Sequence, residues 1–167
     1  MRQLFTPWRL PYIMSLKPDA ECVFCAAQRA DDDSGYILHR GRHNFVILNV
    51  YPYSNGHLMV APFQHLASPG DSEPAQRAEL VELAVQCQKA LEQAYRPEGF
   101  NIGMNLGKCA GAGVLGHFHL HVVPRWSGDT NFMSVTGDTR VIPEDLETSY
   151  KKLKSYFKNY RGSAWTA

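Results

Sequence analysis

The sequence lacks an excess of charge of either sign. Its 167 residues include 17 Lys and Arg against 16 Asp and Glu, so the formal net charge is +1. Proteins that hold long nucleic acids by neutralising phosphates need a broad basic surface, which a balanced chain does not provide. We therefore expect no nucleic-acid partner, whereas a small anionic ligand needs positive charge only locally.

Long hydrophobic runs are also missing. The opening segment MRQLFTPWRLPYIM is interrupted by Pro7, Trp8, Arg9 and Pro11, which argues against both a signal peptide and a transmembrane helix. Hydrophobic residues make up 44% of the chain and charged residues 20%, close to the average of water-soluble globular proteins. These features predict a single cytoplasmic domain over 1–167, without a membrane partner.

Cysteine is scarce, with four residues in the chain. Cys22 and Cys25 form a close pair and Cys87 and Cys109 stand alone, unlike the dense framework of a disulfide-stabilised secreted protein. Thiolates spaced as in this pair can fill two corners of a tetrahedral zinc site, or they can act as redox thiols. A redox pair is expected at the start of a helix in a thioredoxin-like context. We expect this pair in a short loop, so the metal interpretation is favoured.

Short strands dominate the first part of the chain. Apolar runs at 36–38, 45–48 and 58–61 follow an Asp-rich turn at 31–35 and predict a three-stranded meander. Residues 1–21 are rich in proline and aromatic residues without a regular period, and they are expected to form an extended arm. These runs supply the first three strands of the expected sheet.

Helical periodicity occurs in two segments. Apolar residues recur at helical spacing over 73–95, with Ser72 as the expected N-terminal cap and Pro97 and Gly99 ending the helix. A second helical pattern covers 144–160. The sequence therefore predicts one long helix in the middle of the chain and one C-terminal helix.

Two further strands are predicted between these helices. Phe100, Ile102 and Met104 alternate with small polar residues over 100–105, which indicates a strand with one apolar face. The run at 117–124 predicts the last strand. The predicted fold class is α+β, with about five antiparallel strands, the long helix packed across the sheet and a C-terminal helix.

Three histidines occupy alternate positions in GHFHLHVVPRW. His117, His119 and His121 are separated by Phe118 and Leu120, so a strand would place the three imidazoles on one face. Such a face can bind zinc or copper. It can also attack phosphorus, because neutral imidazole is a nucleophile whose phosphoramidate is readily discharged. A solvated histidine-rich strand is the third interpretation, and these residues alone leave all three open.

The chain resembles the histidine-triad (HIT) family, whose signature is three histidines alternating with apolar residues, here ending in HVVPRW. LNVYPYSNGHLMVAP is similar to the family's ribose-binding segment through Asn49, Pro52, Gly56 and His57, and NIGMNLG resembles its phosphate-contacting strand and loop. The likeness covers roughly residues 20–130. LFTPWRLPYI and PRWSGDTNFM resemble the branch of diadenosine tetraphosphate phosphorylases and Fhit-like dinucleoside polyphosphate hydrolases.

The resemblance implies a nucleotidyl transferase or hydrolase that attacks the α-phosphate of diadenosine polyphosphates or related adenylates. All three triad histidines are then catalytic residues. His119 would be the nucleophile that carries AMP, with its other ring N–H held by the backbone carbonyl of His117. His121 would donate a hydrogen bond where charge develops as the leaving group departs. The alternatives are a nucleotide-binding sensor or scaffold without chemistry, and a hydrolase of AMP phosphoramidate-type substrates.

Nucleotide contacts are also implied by the resemblance. Asn49 would bind the ribose hydroxyls, and Asn105 would lie near the phosphates. Glycines in the loop 107–116 would let backbone N–H groups approach phosphate oxygens. The implied nucleotide-binding residues are Asn49, Asn105, Gly107, Gly111, Gly113 and His57. Many relatives carry glutamine or a hydroxyl residue in place of Gly113, so the sequence leaves open whether AMP is discharged to phosphate or to water.

Family members with an early cysteine pair complete a structural zinc site with two histidines. The ligands implied here are Cys22, Cys25, His65 and His117, and four protein ligands leave no open position for water. The resemblance further implies a homodimer in which the two sheets join edge to edge. Two histidines match no family position and are expected at the surface: His39 and His43.

Overall fold

The structure is a computed structural model that describes residues 21–129, 144–158 and 160. The arm expected at 1–21 lies outside these residues, apart from Glu21. In the part of the chain that is described, no helix is long and apolar enough to cross a membrane.

The described residues form one sheet of five antiparallel strands, as the sequence predicts. The strands are β1 (Ile37–Arg40), β2 (Asn44–Leu48), β3 (Leu58–Pro62), β4 (Gly99–Gly103) and β5 (Leu120–Arg125). Their order in the sheet is β1-β2-β3-β5-β4. The predicted meander of the first three strands is therefore confirmed, and β4 lies at an edge of the sheet, next to β5.

Three α-helices accompany the sheet in the described ranges: α1 (Val23–Arg29), α2 (Pro74–Tyr95) and α3 (Leu146–Phe157). The prediction of the long helix over 73–95 is confirmed by α2. The last helix is shorter than the predicted 144–160. It begins after Asp145, whose carboxylate accepts a hydrogen bond from the Thr148 amide at 2.9 Å.

The first helix was not predicted. The cysteine pair was expected in a short loop, but Cys22 is the N-cap of α1 and Cys25 lies within the helix. The seven residues of α1 bury a single side chain, Phe24. One buried position gives no helical period to read in the sequence, and so short a helix depends on tertiary contacts for its stability.

The predicted cap of α2 was wrong. Glu73, not Ser72, is the N-cap, and its side chain makes no capping hydrogen bond. Ser72 instead ends a short 3₁₀ helix, and its hydroxyl donates to the carbonyl of Pro69 at 2.7 Å. Pro74 occupies the first turn of α2, where the amide that proline lacks has no intrahelical partner in any case.

Alternation along the strands gives the sheet two buried faces. On β2, Val46 and Leu48 belong to the larger hydrophobic cluster, which includes residues of α2 and α3. Phe45 and Ile47 point the other way and pack in a smaller cluster with Phe24 of α1. Full burial of each such side chain stabilises the fold by about 1.5–3 kcal/mol. The sheet is thus covered by α2 and α3 on one face and by α1 on the other.

The side chain of His121 lies on the face of the sheet that α1 covers. His121 pairs with Met59 across β5 and β3, and Met59 belongs to the smaller cluster. The strand expected at 117–124 begins only at Leu120, so His117 and His119 precede the ladder. The loop after β3 contacts the segment that precedes β5, since the amide of Phe118 donates to the carbonyl of Leu66 at 2.7 Å.

One expected core position in β4 is exposed. Phe100 and Met104 pack against the larger cluster, as the alternating pattern predicts, but Ile102 between them is 48% exposed. The reason is its position in the sheet, because an edge strand has a neighbour on one side only. Alternation in the sequence does not distinguish an edge strand from a central one.

His39 and His43 are less exposed than expected. The ring of His39 stacks on Phe157 of α3 at 6.1 Å and meets Tyr160 edge-on at 5.2 Å, and burial lowers its pKa. His43 is also partly buried. For His39 the prediction of a surface position was wrong because the C-terminal helix, distant in sequence, covers β1.

Polar contacts fasten α3 to β1. The hydroxyl of Tyr150 and the ammonium group of Lys154 donate to the carbonyl of Ile37 at 3.1 Å and 2.6 Å. Lys154 also lies 2.9 Å from a carboxylate oxygen of Asp32, whose other oxygen accepts from Arg40 at 2.7 Å. The C-terminal helix is thereby connected to the turn that precedes β1.

Candidate active site and metal cluster

His119 lies immediately before β5 and is 7% exposed. Its Nδ1 is 3.0 Å from the carbonyl oxygen of His117, the contact expected from the sequence. A carbonyl only accepts, so Nδ1 carries the proton and Nε2 keeps its lone pair. Burial also lowers the pKa of His119. The ring is therefore held in the neutral, nucleophilic form.

His121, the next histidine along the strand, stands beside this ring. The ring centroids of His119 and His121 are 4.7 Å apart in an edge-on arrangement. Nδ1 of His121 lies 2.9 Å from Nε2 of His57, which comes from the start of β3. His57, His119 and His121 thus form one continuous group at the start of two neighbouring strands.

The hydrogen bonds around His57 determine which ring nitrogens of His57 and His121 carry protons. The Asn49 side-chain amide and the Tyr53 backbone N–H both lie near Nδ1 of His57, at 3.2 Å and 3.1 Å. The Tyr53 N–H can only donate, so Nδ1 is the acceptor and the proton of a neutral His57 is on Nε2. His57 therefore donates to Nδ1 of His121, which places the His121 proton on its Nε2.

His57 contacts protein groups through both ring nitrogens. It is fully buried, and these nitrogens lie within hydrogen-bonding distance of Asn49 and His121. Its expected contact with a nucleotide remains a prediction. Asn49 is also buried at the same place, with its side-chain oxygen accepting from the Tyr51 amide at 2.9 Å; a contact with ribose remains a prediction.

The glycine-rich loop turns sharply after β4. Gly107 and Gly111 have φ angles of 83° and 84°, a region that favours glycine. Between them lies a 3₁₀ turn in which the Gly111 amide donates to the carbonyl of Lys108 at 3.0 Å. Asn105 and Gly113 flank this turn and are partly buried. The structure shows how the glycines close the loop, and their contact with phosphate remains a prediction.

Open space adjoins His121 on the β4 side. Gly103 pairs with His121 across the two strands, and a Cβ atom built on Gly103 would have no neighbour within 4 Å. A larger side chain at this position would extend over the same face of the sheet as the histidine ring. The missing side chain leaves room there for a ligand.

The four predicted metal ligands come together in the structure. One ligand atom from each of Cys22, Cys25, His65 and His117 lies within 4.8 Å of the other three. Nδ1 of His117 is 3.4 Å and 3.6 Å from the two sulfurs, and Nδ1 of His65 is 3.3 Å from Cys25. In a tetrahedral site with Zn–S of about 2.3 Å and Zn–N of about 2.0 Å, sulfur and nitrogen lie about 3.5 Å apart. The distances fit one cation.

Neighbouring groups orient the two histidine ligands. Nε2 of His117 lies 2.8 Å from the carbonyl of Pro62, so it carries the proton and Nδ1 presents its lone pair to the sulfurs. A Cβ atom on Gly116 would come within 2.7 Å of the His65 ring, so a glycine is needed for the close approach of that loop. Burial, reinforced by Cys22, raises the pKa of the Cys25 thiol; a divalent cation has the opposite effect, because it stabilises thiolates.

A five-stranded antiparallel sheet with alternate histidines on one face defines a histidine-triad domain. Known proteins agree, since the model of the HIT domain family matches residues 33–128. The chain belongs to the HIT family. It is 35% identical over 161 residues to a protein named AP-4-A phosphorylase from Mycobacterium tuberculosis strain H37Rv, covering 92% of this chain and 83% of that protein.

Solved structures of the same family share this fold. A Zn-bound histidine triad family protein from Mycobacterium smegmatis superposes with a TM-score of 0.63 at 28% identity, covering 87% of this chain and 94% of that one. A hypothetical histidine triad nucleotide-binding protein from Sulfolobus tokodaii gives a TM-score of 0.66 at 25% identity, covering 83% and 93%.

Proposed function

We propose that the protein transfers or hydrolyses the nucleotidyl group of diadenosine polyphosphates or related adenylates through a covalent AMP–His119 intermediate. The observation that carries this proposal is the pair of hydrogen bonds that fix two ring tautomers. His119 keeps a lone pair on Nε2 because His117 holds Nδ1. His121, 4.7 Å away between ring centroids, keeps a proton on Nε2 because His57 donates to Nδ1.

These two tautomers suit a displacement at phosphorus. Nε2 of His119 forms a bond to the α-phosphorus, and the bond from that phosphorus to the bridging oxygen breaks. The bridging oxygen leaves with the rest of the nucleotide, and the Nε2–H of His121 donates to it as its negative charge develops. In the second step an oxygen of phosphate or water attacks the phosphorus and the N–P bond breaks, which restores His119.

The family relationship supports a nucleotide substrate. The Mycobacterium tuberculosis relative is named AP-4-A phosphorylase, and it aligns with 92% of this chain. We therefore take diadenosine tetraphosphate as the first substrate to test. Gly113 bears on whether phosphate or water accepts the AMP group, because glycine offers no polar side chain to bind the acceptor.

We propose that the cysteine–histidine cluster binds zinc and that the zinc is structural. Two sulfur and two nitrogen ligands favour zinc over the oxygen-preferring cations, and the Mycobacterium smegmatis relative is described as Zn-bound. When bound, zinc would hold the first turn of α1 against the residues that precede β5. Because all four positions are filled by protein, no position is left for a reacting water.

We further propose a homodimer formed along β4. This strand lies at an edge of the sheet, and its Ile102 is 48% exposed, with Leu106 just beyond it 42% exposed. An edge strand offers backbone donors and acceptors to another strand, and natural proteins normally cover such an edge. A second copy of β4 would pair with these groups and cover the exposed side chains.

Incubation with diadenosine tetraphosphate, with and without inorganic phosphate, tests the proposed activity. ADP plus ATP formed only with phosphate identifies a phosphorylase, whereas AMP plus ATP formed in both samples identifies a hydrolase. Cleavage of an AMP phosphoramidate but not of the dinucleotide would support the alternative substrate class. Tight binding of nucleotide without any product would contradict catalysis and favour a sensor or scaffold.

A further inference from the structure

Phe24 connects the metal cluster with the catalytic histidine. It lies between Cys22 and Cys25 in the sequence and is the buried side chain of α1, with 2% of its surface exposed. Its ring centroid is 4.7 Å from that of His119, tilted by 41°, and 5.1 Å from that of His117, tilted by 48°. One ring therefore contacts a metal ligand and the catalytic histidine together.

The hydrogen bond from Nδ1 of His119 does not by itself fix the direction of Nε2. A ring held through one nitrogen can still tilt through small changes in the two side-chain torsions, and Nε2 then moves relative to the phosphorus. A second packing contact with the ring restricts this freedom. Since displacement requires alignment of the attacking atom with the breaking bond, small rotations carry a large cost in rate.

We propose that Phe24 is a positioning residue for His119, a role that rests on the proposed function. The ring of Phe24 packs against the imidazole at a tilt of 41°, and the His117 carbonyl lies 3.0 Å from its Nδ1. The two contacts together orient Nε2 of His119 toward the phosphorus. Because Phe24 lies between two cluster cysteines in the first turn of α1, whatever holds the sulfurs in place also holds this ring.

Phe24 also contributes to the stability of the fold, and the test must separate the two roles. Phe45 provides a matched control, since it is fully buried in the same hydrophobic cluster. Its ring stacks on Phe63 at 5.3 Å. Phe→Leu at either position keeps an apolar side chain and removes the ring, with a similar loss of packing.

The experiment compares Phe24→Leu with Phe45→Leu by steady-state kinetics on diadenosine tetraphosphate, together with zinc content and melting temperature. We expect Phe24→Leu to lower kcat about 10- to 100-fold, the usual effect of losing a group that orients a reacting residue, with KM changed less than about 2-fold. Phe45→Leu should lose similar thermal stability and keep its kcat. Equal losses of kcat in both variants, an unchanged kcat in Phe24→Leu, or a loss of zinc that accounts for its inactivity would overturn the proposal.

A second readout does not depend on turnover. Ring protons of His119 lie beside the Phe24 ring, so their NMR signals carry its ring-current shift. We expect Phe24→Leu to move these signals and Phe45→Leu to leave them in place. If the wild-type protein shows no turnover, the proposed function fails, and unmoved His119 signals in Phe24→Leu would then contradict positioning separately.

Discussion

Nε2 of His57 lies 2.9 Å from Nδ1 of His121, although the two residues are 64 positions apart in the sequence. The hydrogen bond crosses from the residue before β3 to β5, and these two strands are neighbours in the sheet. Its direction is set by the donors on the far side of His57, above all the Tyr53 backbone amide at 3.1 Å. A buried histidine thus determines which nitrogen of His121 carries the proton.

We predict that His57→Leu lowers kcat about 10- to 100-fold, as expected for loss of a group that orients a catalytic side chain. The KM for the dinucleotide should change little, because both ring nitrogens of His57 lie within hydrogen-bonding distance of protein groups. His57→Gln can keep an N–H near the position of Nε2 and should recover part of the lost rate. Steady-state kinetics of the three proteins provide the measurement. Equal activity of the leucine variant and the wild type would contradict the role of His57.

We predict that Cys22→Ser lowers the zinc content well below one ion per chain and lowers the melting temperature. The reason is that the substituted residue is one of four ligands whose donor atoms lie within 4.8 Å of one another, and structural zinc contributes folding energy. Elemental analysis and thermal unfolding provide the measurements. Cys109→Ser, at an exposed position, is the control and should alter neither. An unchanged zinc content in Cys22→Ser would rule out the cluster.

We predict that Ile102→Lys weakens the proposed dimer. A charge on the exposed edge strand would be desolvated when a second copy of β4 pairs with it. Val81→Lys, at a 60% exposed position on α2, is the matched control and should leave assembly unchanged. Sedimentation equilibrium measures both. A wild-type protein that is monomeric throughout, or a dimer indifferent to Ile102→Lys, would show that β4 is not the interface.

We predict that stability falls in acid partly because of Asp32. Burial alone would raise its pKa, but hydrogen bonds and charge from Arg40 and Lys154 outweigh burial and hold the pKa below 3.8. A carboxylate with a lowered folded-state pKa contributes stability above its unfolded value and loses this contribution as the pH falls through the folded value. The free energy of unfolding should therefore decrease below about pH 4.

Asp32→Asn should flatten that part of the pH profile, because an amide does not titrate. Urea unfolding at a series of pH values measures the difference between the two proteins. Asp71→Asn changes an exposed carboxylate in the short 3₁₀ helix before α2 and controls for the loss of one negative charge. If the free energy of unfolding depends on pH in the same way in the wild type and in Asp32→Asn, the contribution of Asp32 to acid sensitivity is contradicted.

Much of the fold follows from local patterns in the sequence. Short apolar runs identify β2 and β3, because both faces of these strands are buried. The helical period over 73–95 identifies α2, because its buried face repeats along the helix. The edge position of Ile102 and the cover over His39 escaped prediction. Both depend on which distant element lies beside the strand, and no periodicity records that.

In the candidate site, too, some residues were predictable from the sequence and others depend on contacts between distant elements. The triad and the proposed zinc ligands were predicted because their residue types match positions of a known family. The role of His57 was missed, since it depends on hydrogen bonds from the Tyr53 backbone and to a distant strand. Phe24 was missed because an apolar residue between two cysteines carries no chemical signal, and only the packing of α1 shows that it meets His119.

The most direct test of the central claim is detection of AMP covalently bound to His119. The protein is mixed with diadenosine tetraphosphate, quenched rapidly in alkali because the P–N bond is labile to acid, and its peptides are analysed by mass spectrometry. We predict one adenylyl group on the peptide that contains His119 in the wild type. His119→Ala should retain its fold and nucleotide binding, form no adduct and lose turnover by at least about 10³-fold. An active His119→Ala protein, or an adduct on another residue, would contradict the account.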